Sequence, residues 1–109
     1  MTEMFSSWEH VFDPPLWRME DPPKKIAIDL GLAIPTTAPF GFGKDKVPMR
    51  IKAGGLKLTG QVPGLLHAWA RCTDGSWLGM AEFVIPIGTA TAGLPVLQLC
   101  CGKALSPAP

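Results

Sequence analysis

The dipeptide Asp74-Gly75 separates two runs of strand-forming residues, 65–73 and 76–85. Asp-Gly is a preferred pair for a two-residue type I′ turn, whose backbone twist matches that of two antiparallel strands. Taken as that turn, it pairs Cys72 with Trp77, Ala70 with Gly79, Ala68 with Ala81 and Leu66 with Phe83 on one face. The other face then receives Arg71 with Leu78, Trp69 with Met80, His67 with Glu82 and Leu65 with Val84. The first face is small at its middle and bulky at its ends, which suits a strongly curved sheet. The second is apolar and needs a cover, from the N-terminal aromatics, a second copy of the chain or another protein.

The rest of the chain points the same way. Twelve prolines and twelve glycines among 109 residues leave little room for long helices. Charged residues make up only 17% of the chain against 47% hydrophobic, below the usual quarter of charged positions. Residues 25–30 alternate as a short strand with Ile26, Ile28 and Leu30 on one side, and 31–46 read as a Gly/Pro/Thr loop. Val47, Met49 and Ile51 alternate with Pro48, Arg50 and Lys52, which predicts a second hairpin over 46–59 turning at Gly54-Gly55. Residues 96–101 form a final strand. Residues 1–25 read as an aromatic tail with two short helical turns. Ser6 and Glu9 fit a capping box before the first, and Asp13-Pro14 starts the second. The expected fold is mainly β: a small SH3-like barrel or a bent antiparallel sheet, made by residues 26–109, with the tail appended.

The stretch Leu66-His67-Ala68-Trp69-Ala70-Arg71, followed by Asp74-Gly75-Ser76-Trp77-Leu78-Gly79, is similar to small uncharacterised proteins of actinobacteria and their phages. The resemblance covers about a third of the chain. It implies a bacterial or phage setting and brings no activity with it.

Chemistry-bearing residues are sparse. His67 facing Glu82 has the form of an acid–base pair, but a cross-strand ion pair is the commoner role, and no Ser or Cys nucleophile stands beside it. Cys72, Cys100 and Cys101 lack the spacing of a zinc site, and adjacent cysteines on a strand point to opposite faces. Gly41-Phe42-Gly43-Lys44 lacks the Ser/Thr and the following helix of a phosphate loop. No metal, cofactor or catalytic residue is expected. No secretory leader or membrane span is read from the sequence, and unpaired cysteines point to the cytoplasm.

Two surfaces remain. Trp8, Phe12 and Trp17 of the tail, with Trp69, Leu78 and Met80 of the hairpin, form a protein-binding set, because large aromatics supply most of the energy at small interfaces. Self-docking of the tail onto the hairpin competes with capture of a partner. The second surface is the basic stripe Lys44, Lys46, Arg50, Lys52 and Lys57, with net charge +4 over 44–57 once Asp45 is counted. A two-stranded ribbon so charged can lie along phosphates, although a pI of about 7.7 is low for a nucleic-acid module. The expectation is therefore a non-enzymatic interaction module, binding a protein or itself, with nucleic-acid binding through the basic hairpin as the alternative.

Overall fold

The computed structural model describes Trp8 and residues 16–36, 47–89 and 91–109. In chain order the elements are β1 (Trp17–Asp29), α1 (Leu30–Ala33), α2 (Met49–Gly54), β2 (Gln61–Arg71), β3 (Trp77–Pro86), β4 (Gly93–Cys101), a 3-10 turn (Gly102–Ala104) and β5 (Leu105–Pro107). The fold is mainly β. One antiparallel sheet in the order β4-β3-β2-β1-β5 curls into a half-barrel.

The concave side holds the core. Ile26, Ile28, Leu30, Leu66, Ala81, Phe83, Ile85, Cys100 and Ala104 pack together there, with Leu58, Val62, Trp69, Val96 and Leu105 around them. Ile28 and Leu30 are fully buried, each stabilising the fold by about 1.5–3 kcal/mol. The strand expected at 25–30 is therefore real, but it is the second half of something longer. β1 starts at Trp17 and runs across position 25/26, so the proposed boundary between tail and domain falls inside one strand. The second helical turn expected around Leu16, Trp17 and Met19 is replaced by strand pairing: Trp17 lies opposite Ala70 and Met19 opposite Ala68. Pro22-Pro23 removes two amide donors, and the pairing with β2 is interrupted between Met19 and Lys24 before it resumes.

The hairpin expected over 46–59 is a helix instead. Pro48, with φ of −56°, precedes the first turn of α2, and the Gly55 amide donates to the Ile51 carbonyl at 2.8 Å to close it. The alternation of Val47, Met49 and Ile51 is misleading because no sheet face lies under it: Met49 is 77% exposed and Ile51 52%. Among the described residues of this segment, only Leu56 makes a strand bridge, to Ile87.

The hairpin of β2 and β3 is present, with a different turn and register. The Gly75 amide donates to the Cys72 carbonyl and the Cys72 amide to the Ser76 carbonyl, giving a three-residue loop. Only Gly75 takes positive φ, at +91°. Asp74 stays on the ordinary side because its carboxylate accepts from the Ser76 amide at 2.9 Å and the Ser76 hydroxyl at 2.6 Å, an arrangement that competes with the type I′ turn. The longer loop shifts the pairing by one residue, to Arg71–Trp77, Ala70–Leu78, Trp69–Gly79 and Ala68–Met80. A bulge at His67 shifts it again, to Leu66–Ala81 and Leu65–Glu82. Leu66 and Trp69 consequently belong to the concave core, while Ala68 and Met80 share the convex side. Toward the C-terminus, β4 begins three residues earlier than the strand expected at 96–101, and β5, unforeseen, returns to pair with β1.

Candidate interaction surface

The convex side of the sheet is where exposed apolar area gathers. Strand pairing sets its rows: Met19–Ala68–Met80–Leu99, then Leu65–Glu82–Leu97, then Val84–Pro95. One half is covered by the chain itself. Trp8, Trp17 and Met19 pack on Ala68 and Met80, and the Trp17 indole donates to the Trp8 carbonyl at 3.4 Å. Of the expected protein-binding set, the structure thus brings together Trp8, Trp17 and Met80, with half-buried Leu78 paired to Ala70 on the same side. Trp69 does not belong with them: the three-residue loop sets it opposite Gly79, on the core side, where the bulge at His67 brings Leu66 to join it. Phe12 lies outside the described residues.

The other half is uncovered among the described residues. Val84 is 52% exposed, Leu97 43% and Leu99 44%. The alternation of β4 carried this information, since Gly93–Cys101 holds no charged residue and Gln98 is its only amide side chain. That strand reads equally as a buried one, so its outward leucines were not recognisable before its place at the sheet edge was known.

In the middle of this face, His67 Nε2 and Glu82 Oε1 meet at 2.8 Å. The expected cross-strand contact therefore forms, by way of the bulge and not by direct opposition. The shallow depression beside it is lined by Pro95, Val96 and Leu97, side chains with no nucleophile or proton donor to offer.

The basic stripe is dispersed. Arg50 and Lys52 stand two positions apart on α2, so they project to different sides. Lys57 is beyond the helix, and Lys44 and Lys46 lie outside the described residues. A different cationic group forms on the concave side. Arg71 stacks on Trp77 at 5.1 Å from the ring centroid and Arg18 at 6.0 Å. Beside them a cleft of about 310 Å³ has Ile26, Leu66 and Trp69 among its walls and Arg18, Lys24 and Lys25 at its rim.

The cysteines diverge. Cys100 is buried and Cys101 exposed. Burial pushes the Cys100 thiol above its ordinary pKa, against a weaker opposite pull from Gln98. Among the described residues, no three His, Cys, Asp or Glu side chains are placed to share a metal ion, and no helix is long and apolar enough to cross a membrane. Compared with known proteins, the chain matches no family model, no curated protein and no solved structure, so the surface described here is the ground on which its function is read.

Proposed function

We propose that this chain is a non-enzymatic protein-interaction module that associates through the convex face of β3 and β4. The observation that carries this reading is the exposed patch of Val84, Leu97 and Leu99 around Glu82, adjoining the part of the same face that Trp8, Trp17 and Met19 already cover. Apolar area concentrated on one side of a small domain marks a contact surface more often than a solvated one. The strand order, with a 3-10 turn delivering a short last strand back to β1, supports reading the half-barrel as SH3-like. A cytoplasmic bacterial or phage setting, implied by the hairpin resemblance, accords with three unpaired cysteines.

The test is the molar mass of the full chain by light scattering, beside Leu97→Glu. Wild type is expected to associate, and the variant to remain folded and run at the monomer mass. A wild type that stays monomeric at every concentration, with solubility and thermal stability equal to those of Leu97→Glu, refutes the reading.

One observation favours a second reading. Trp69 lines the concave cleft with Arg18, Lys24, Lys25 and Glu20, and Arg18 also reaches Trp77, on which Arg71 stacks; stacking rings beside cations are the combination that tracks a single nucleic-acid strand. Binding of this kind weakens steeply with salt, and Arg18→Glu with Lys25→Glu is expected to abolish it. The site differs from the basic hairpin anticipated at 44–57.

A further inference from the structure

The two edges of the sheet are built differently. On the β5 side the edge strand is three residues long and ends in Pro107. Past it, β1 exposes Asp21, Pro22, Pro23, Lys24 and Lys25. Short length, proline and charge are the usual devices that stop an edge from adding another strand. β4, at the other edge, spans nine residues with no charge, and its single proline lies near its start. Among the described residues, one edge is protected and the other is open.

We propose that β4 pairs antiparallel with β4 of a second copy across a two-fold axis, joining two half-barrels into one ten-stranded sheet. The proposal rests on the protein-interaction reading above and adds the occupant and its geometry. Three features favour a second copy over an unrelated peptide. In a two-fold seam every side chain meets its own image or that of a near neighbour, so a charge on the strand repels its counterpart; 93–101 has none. The chain carries a net charge of only +1, leaving little long-range repulsion between copies. A register centred on Gln98 sets Leu97 opposite Leu99 of the second copy, twice, on the convex face. It also leaves Pro95, which has no amide to donate, at the end of the seam.

Edge pairing orders backbone amides; simple stacking of two convex faces does not. The deciding experiment is amide hydrogen exchange of the full chain at low and high protein concentration, with light scattering on the same samples. Wild type is expected to dimerise, with β4 amides gaining protection as concentration rises. Leu97→Lys is expected to weaken the dimer about a hundredfold, because two ammonium groups then sit in the apolar seam. Val84→Lys, one strand in from the edge, is expected to change it less than about tenfold. A dimer whose β4 amides exchange independently of concentration, or one lost equally through Val84→Lys, overturns edge pairing and leaves face docking standing. A monomer at all concentrations overturns both. A monomer with β4 amides protected at every concentration shows that the chain's own segments cover the edge, and also overturns the proposal.

Discussion

The curl of the half-barrel predicts that two glycines in its middle respond differently to the same added methyl group. A Cβ at Gly64 would sit 2.6 Å from the Glu82 carbonyl oxygen and 3.1 Å from the Phe83 Cβ, and would also meet the Ile28 Cδ1. The first of these is backbone, held by the pairing of Gly64 with Phe83, so strand separation has to change. A Cβ at Gly79 meets Leu66 Cδ1 at 2.9 Å, Trp69 Cζ3 at 3.4 Å and the end of Leu105, all side-chain atoms, of which the leucine methyls swing aside by rotamer changes. Overpacking a core costs about 1–3 kcal/mol, and replacing glycine by alanine returns about 0.4–1 kcal/mol by restricting the unfolded chain. Gly64→Ala belongs at the upper end of the cost and Gly79→Ala at the lower. The net losses are about 2 kcal/mol for Gly64→Ala and under about 1 kcal/mol for Gly79→Ala. For a domain of this size the first corresponds to a Tm lowered by about 8–16 °C. Thermal unfolding followed by circular dichroism, with urea titration for free energies, measures both. Equal losses at the two positions, or a larger one at Gly79, would refute the argument that backbone proximity sets the cost.

Met80→Ala is expected to destabilise the protein by about 2–5 kcal/mol and to shift tryptophan emission to the red, as Trp8 and Trp17 lose their support; unchanged emission would mean that those rings do not rest on Met80. Hydrogen bonds from the Ser76 hydroxyl, then its amide, hold the Asp74 carboxyl below its ordinary pKa, so its contribution is present above the ordinary carboxylate value and is lost as pH falls through the folded one. Ser76→Ala is expected to return that pKa toward the ordinary value in an NMR titration. The Cys100 thiol, raised by burial, stabilises the fold below the ordinary thiol value, and that contribution disappears as pH rises through the folded one. Cys100→Ala is accordingly expected to flatten the alkaline decline in stability. Exposed Cys101 should react with a thiol reagent in the native state, and Cys100 only after unfolding.

What the sequence revealed and what it hid follow from the range of the interactions involved. The Asp74-Gly75 turn, the strand through Ile26 and Ile28, and the end of β3 at Pro86 are local patterns, and each was readable. The register of the hairpin was not, because Asp74 has two competing ways to use its carboxylate and Ser76 decides between them. α2 imitated a strand because the alternation of Met49 and Ile51 reflects no burial at all. The first half of β1 carries too many prolines and charges to read as a strand; it becomes one only because Ala68 and Ala70 offer small partners for Met19 and Trp17. For the same reason the aromatic cluster was half legible. Trp8, Trp17 and Met80 were named as large apolar side chains and do converge, whereas the position of Trp69 depends on the one-residue shift that the turn imposes.

That inserted residue makes β2 a strand with a reading frame. Leu66 serves the core on one side of His67 and Ala68 serves the convex face on the other, so two stretches of one strand keep opposite parity. Substitutions along β2 are absorbed locally, each by its own neighbours. Removing His67 would close the bulge, leaving Leu66–Ala81 followed directly by Ala68–Met80 in a regular ladder with Trp69 still in the core, and would take from Glu82 its partner. Shortening β2 at the bulge is therefore expected to cost the convex face its His67–Glu82 contact and to spare the core.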